Sequence, residues 1–168
     1  MAPAAIAIDV QRKSTLMKSQ WIPTAMSHPA FMHSLLCQAA LHQYFLDRGS
    51  FKDIIYHRAQ AVAAINSAIS NKATVEVISD SNIAAVFNLL TLEEAFVHIE
   101  RNRGDNIQQT DQRQIHYHGL REMISLRGGL SKIGSNRMLQ AFILWYVQML
   151  IRTRSRVRSS QVNTYFWY

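Results

Sequence analysis

All three prolines, Pro3, Pro23 and Pro29, fall within the first 29 residues, and the 139 that follow have none. Proline lacks a backbone donor and clashes with the preceding helical turn, so its absence leaves a long stretch open to uninterrupted helices. In that stretch the β-branched residues occur singly rather than in alternating runs, which removes the main strand signal. The chain is therefore expected to be all-α, with about five packed helices in an irregular array. No internal repeat argues for a regular solenoid.

Punctuation divides the stretch. Ser27, His28 and Pro29 read as a helix start, with serine as the cap and proline in the first turn. The first helix then runs to about Leu46 and is apolar over much of its circumference (Phe31, Leu35, Leu36, Ala39, Ala40, Phe45), which makes it the expected central helix. Gly49 ends it. The second spans Phe51 to Ser70, with Ile55, Ala59, Val62, Ile65 and Ile69 as its inward stripe. The third starts near Ser79 to Ser81, carries Ile83, Val86, Phe87 and Leu90, and continues toward Ile99. Arg101 to Gln112 is polar, holds Gly104 and reads as a surface loop. The fourth covers Arg113 to Arg127, with Leu120, Met123 and Ile124 inward and Gly128 and Gly129 as its stop. The fifth starts at Ser135 or Asn136. Its stripe of Leu139, Phe142, Ile143, Tyr146, Val147 and Leu150 is the cleanest in the chain.

At 168 residues, 48% hydrophobic and 17% charged, the chain is long and apolar enough for one globular domain with a real core. No apolar run reaches the roughly 18 residues of a membrane span. Ala2 to Val10 does not read as a secretory signal, because Asp9 interrupts it and no basic residue precedes it. The net charge of +7 sits at the ends. Arg12, Lys13 and Lys18 precede the body, and Arg152, Arg154, Arg156 and Arg158 follow it. The nearly neutral body argues against a large nucleic-acid face.

The chemistry-bearing residues form no recognisable catalytic set. Cys37, the single cysteine, sits in an apolar run, has no disulfide partner within the chain and reads as a buried, inert thiol. Glu94 and His98 share a helix face, whereas His116 and His118 are two apart and lie on different sides of a helix. No zinc-ligand spacing is present. Glu93 and Glu94 also face different ways. No G-x-S-x-G elbow occurs, and GGLSKIG at 128–134 lacks the spacing of a phosphate loop. Neither an enzyme nor a cofactor is expected, and no residue is assigned to a catalytic, cofactor or metal site.

Four segments carry a family resemblance. They are WIPTAMSHPAFMHSLLCQAALH (21–42), IIYHRAQAVAAINSAIS (54–70), SDSNIAAVFNLLTLEEAF (79–96) and HYHGLREMISLRGGLSKIGSNRMLQAFILW (116–145). Together they resemble the helical regulatory, or middle homology, region of fungal zinc binuclear-cluster transcription factors. The run from His118 through Gly119, Leu120, Met123, Leu126, Arg127, Gly128 and Gly129 to Leu130 is the most specific part. The resemblance implies an all-α regulatory domain over residues 21–150, a nuclear location, and action through a protein partner, self-association or a small-molecule effector. It also implies a limit. The family's DNA-binding module uses six cysteines to hold two zinc ions, and one cysteine cannot supply them. This chain is thus expected not to bind DNA sequence-specifically by the family's route, nor to enter membranes.

Residues 1–20 read as a flexible leader and 151–168 as a basic, disordered tail. The family's helical region runs further than Trp145, so the C-terminus reads as truncated, with Arg152–Tyr168 as translated non-coding sequence. The alternatives are a helical interaction scaffold unrelated to transcription and a non-functional fragment. An apolar stripe left uncovered on the fifth helix would favour self-association or a partner.

Overall fold

The computed structural model describes residues 17–71, 77–103, 110–133 and 137–157. Among them are six α-helices and no strand. A π-helical turn, Met17–Trp21, leads into the short α1 (Ile22–Met26). Then follow α2 (Pro29–Phe45), α3 (Phe51–Ser70), α4 (Asp80–Arg103), α5 (Thr110–Leu126), a 3-10 turn at Leu130–Ile133, and α6 (Arg137–Val157). The all-α expectation is met, with one short helix more than the five anticipated.

That extra helix changes the reading of Ser27. Ser27 closes α1 rather than opening α2, and its hydroxyl donates to the Pro23 carbonyl at 3.2 Å. The residue before α2 is His28, in extended backbone, with Pro29 at the first helical position. Proline tolerates that place because no partner for its missing N–H is needed there. At the other end of α2, Gly49 lies so close to Gln43 that an added Cβ would meet the Gln43 Cβ at 2.9 Å. The turn fits only a residue without a side chain, and α3 starts directly after it. Ser50 caps α3 reciprocally: its hydroxyl accepts from the Lys52 N–H, and its own N–H donates to the Asp53 carboxylate. This capping box satisfies donors that the helix itself leaves open.

The central helix is α4, not α2. Every residue from Ser81 to Leu90 is buried, whereas the second half of α2 is largely exposed, Phe45 included. A helix that is apolar almost all round belongs in the middle, and NIAAVFNLL satisfies this more fully than the corresponding part of α2. Around α4 lies one large apolar cluster, drawn from Trp21, Phe31, Leu120, Ile124, Ile133, Leu139 and Ile143. A smaller one joins Cys37, Leu41, Ile54, Leu92 and Phe96.

The face of α3 is also displaced. Ile54, Ala61 and Ala68 are buried, while Ile55 and Ile69 are exposed. The helix is turned by one residue, about 100°, from the stripe expected. Its physical reason is Arg58, one turn after Ile54, whose guanidinium meets a buried carboxylate.

The polar stretch between α4 and α5 is shorter than expected, since α4 reaches Arg103 and α5 starts at Thr110. Leu120, Met123 and Ile124 point inward as anticipated. Gly128 and Gly129 both hold positive φ, 92° and 94°. The Gly129 N–H donates to the Ile124 carbonyl at 2.9 Å, which occupies a carbonyl that the end of α5 would otherwise leave open. The last helix continues to Val157 rather than stopping near Leu150. Residues 1–16 and 158–168 lie outside the described set.

Candidate interaction surface

Polar side chains in the interior tie the helices together. Ser34 on α2 accepts from the Asn88 side-chain amide on α4 at 3.0 Å and donates to the Phe31 carbonyl at 2.8 Å. One turn along α2, Gln38 donates to the Asn88 carbonyl at 2.7 Å and to the Thr91 hydroxyl at 2.8 Å. Buried polar atoms without partners are costly, so a satisfied set of this kind fixes how α2 sits on α4.

A charged junction follows on the next turn of α4. Glu93 is 1% exposed, and its Oε1 accepts from Arg58 of α3 through both Nε, at 2.8 Å, and Nη2, at 2.6 Å. Across the same oxygen, His116 of α5 places Nε2 at 4.0 Å, beyond hydrogen-bonding range. Burial, and then the charge of Arg58, hold His116 down to about 4, so the ring is neutral at pH 7. Cys37 lies against the same junction. It is buried, its thiol donates to the Ile54 carbonyl at 3.2 Å, and burial pushes it up to about 11 against the opposing pull of Arg58. A thiol so protonated is a poor nucleophile.

Glu94 looks the other way, toward α5 and α6. Its Oε1 accepts from the Tyr146 hydroxyl at 3.0 Å, and both its oxygens lie 3.4 Å from Arg113 Nη1. Burial and the neighbouring carboxylate raise the Tyr146 phenol well above its usual value. At the N-terminus of α4, Asp80 meets Arg127 at 3.2 Å, where a carboxylate also complements the helix dipole.

The residues weighed from sequence are thus dispersed. His116 is buried and His118 exposed, Glu93 and Glu94 serve different helices, and the His98 side chain lies outside the described set. Gly128 and Gly129 make a helix stop with a 3-10 turn after it. Among the described residues no three histidine, cysteine or carboxylate side chains are grouped to hold a metal ion. One contact that sequence reasoning missed joins α2 to α3: His33 Nδ1 and His57 Nδ1 are 3.0 Å apart. One ring must donate and the other accept, and burial followed by the neighbouring imidazole lowers the His57 pKa. Arg58–Glu93 was missed as well. Its signal was a charged residue one turn after Ile54 and another between Leu92 and Phe96.

A cleft between α5 and α6 is lined by Tyr117, Leu120, Ile124, Ile143, Tyr146 and Val147, with a cavity volume of about 20 Å³. It has room for a water molecule and is far below the several hundred Å³ that metabolite pockets enclose.

The outer face of α6 differs from the interior. Its inner face packs Phe142 and Tyr146 on Phe87 and sets Phe142 edge-on to Trp21 at 5.2 Å. On the opposite face Leu144, Trp145 and Met149 stand exposed, Trp145 by 53%. Such a helix has one apolar face more than the described core covers.

The arrangement defines a helical domain whose interior polar groups hold helices in register and whose spare surface is apolar. A family model described as the fungal specific transcription factor domain matches residues 7–163. The chain belongs to that family, and the match extends beyond the 21–150 span of the resemblance on both sides. No curated protein and no solved structure matches the chain.

Proposed function

We propose that this chain is a regulatory domain of fungal transcription control, acting in the nucleus by contact with another protein and without catalysis. The observation that carries it is an apolar face of α6 with Leu144 and Trp145 exposed among the described residues, on a chain that matches a transcription factor domain along nearly its whole length. Exposed apolar faces of this kind mark interaction sites. These 168 residues cannot themselves supply the ligands of a binuclear zinc cluster. Its single cysteine is buried against Ile54, and a binuclear cluster needs several free thiolates. No described helix is long and apolar enough to cross a membrane.

The test tethers the chain to an unrelated DNA-binding module upstream of a reporter in a fungal cell. Reporter output that differs from the module alone, in either direction, is the expected result, together with nuclear retention of the untethered chain. Unchanged output and no nuclear retention would overturn the proposal.

A further inference from the structure

The sequence of α6 adds cationic positions to its exposed apolar face, and the two together specify an occupant. Between Arg137 and Val157 the sequence has four arginines and no carboxylate. Arg137 is exposed and stands seven residues before Leu144, two turns along the same side. Arg152 and Arg156 follow Met149 by three and seven residues, so their helix positions continue the same side toward the other end. The face is therefore an apolar centre of Leu144, Trp145 and Met149 with cationic positions at both ends.

We infer that this face docks an acidic amphipathic helix of a partner protein, with apolar side chains across Leu144, Trp145 and Met149 and carboxylates toward the arginines. The inference rests on the protein-contact reading above and names the surface and the chemistry of its partner. Exposed tryptophan is the usual kind of anchor in such contacts, and rim charges steer and orient the partner. A partner helix can lay anchors spaced three and four residues apart along such a face. A second copy of the chain fits poorly. An antiparallel pair of α6 helices would set Arg137 of each against the Arg152 and Arg156 positions of the other, and a parallel pair would set like on like. Like charges facing one another oppose association.

The experiment uses the full chain and a fluorescein-labelled amphipathic peptide with a leucine and phenylalanine stripe and glutamates at both ends. A control peptide has lysines in place of the glutamates. Anisotropy should show saturable binding of the acidic peptide, at least ten-fold weaker binding of the control, and weakening with added salt. Trp145→Ser and Arg152→Glu should each weaken binding by about ten-fold with unchanged helical circular dichroism. Equal affinity for both peptides, no binding of either, or insensitivity to both variants would overturn the inference. So would Trp145-dependent binding to phosphatidylserine vesicles, or Trp145-dependent dimerisation in sedimentation, if no peptide bound. The reporter separates the two levels. If wild type and Trp145→Ser alter output equally, the contact reading survives and this surface falls; if neither alters output, the contact reading itself fails.

Discussion

Arg58 and Glu93 form the junction most sensitive to change, and the two partners are not equivalent. Glu93 is almost fully enclosed, while the Arg58 side chain keeps 26% of its exposure. Replacing Glu93 by glutamine leaves a cation that can reach water. Replacing Arg58 by methionine leaves a carboxylate that cannot. Arg58→Met should therefore cost about 3–5 kcal/mol in urea unfolding at pH 7, and Glu93→Gln clearly less. His116 adds a pH dependence of definite sign. Its folded pKa, near 4, lies below the unfolded value of 6.5. The unfolded chain therefore takes up a proton that the folded chain refuses as pH falls through that window. The His33–His57 pair acts in the same direction, because its lowered member also resists protonation. Stability should fall between pH 6.5 and 4, and His116→Gln should make that fall shallower, as read from urea midpoints at pH 7 and 5.

At the level of the helices, the rotation of α3 gives a sharp contrast between neighbours. Ile54 is fully buried beside Cys37 and Leu92, and Ile55 is 42% exposed. Ile54→Ala should cost roughly 2–4 kcal/mol, and Ile55→Lys should stay within about 0.5 kcal/mol, both measured by denaturant unfolding. Sequence periodicity had favoured the opposite choice, because stepping by three and four through Ile55, Ala59 and Val62 counts only apolar residues. Arg58 belongs to the inward face, and a count of apolar residues must pass over it. The same weakness affected α2, where abundant apolar residues hid the fact that Phe45 and Leu36 stay outside. The positions of the main helices and the inward faces of α5 and α6 were legible, since there apolar periodicity and burial coincide. So was the stop after α5, where each glycine's positive φ would cost another residue about 1–2 kcal/mol; Gly129→Ala should lower stability by about that amount in thermal or urea melts. The short α1 was hidden by Pro23, which reads as a break but sits within its first turn. The outer face of α6 was half legible: the sequence stripe takes Tyr146 inward and leaves Trp145 out, but only the fold shows Leu144, Trp145 and Met149 exposed together.

In the molecule as a whole, α6 is held differently from α2 to α4. It meets the body through an aromatic group, Trp21, Phe87 and Phe142, and through the Tyr146 hydroxyl on Glu94. Trp21 is 2% exposed and also stands edge-on to Phe31 at 4.7 Å, so one side chain fastens the Met17–Trp21 turn, α2 and α6 to one another. Trp21→Ala should cost about 3–5 kcal/mol. Hydrogen exchange should register the loss first in α6, with α2 and α4 still protected. The charged junction at Glu93 also has a meaning for descent. Arg58→Leu alone strands a buried carboxylate, and Glu93→Leu alone removes the group that draws Arg58 inward. The double change to two leucines is expected to be close to neutral or even stabilising. A lineage at this junction thus faces a valley with high ground on either side. The shallower way across loses Glu93 first, because Arg58 can then reach water, so the two positions should change together in descent, with Glu93 ahead of Arg58.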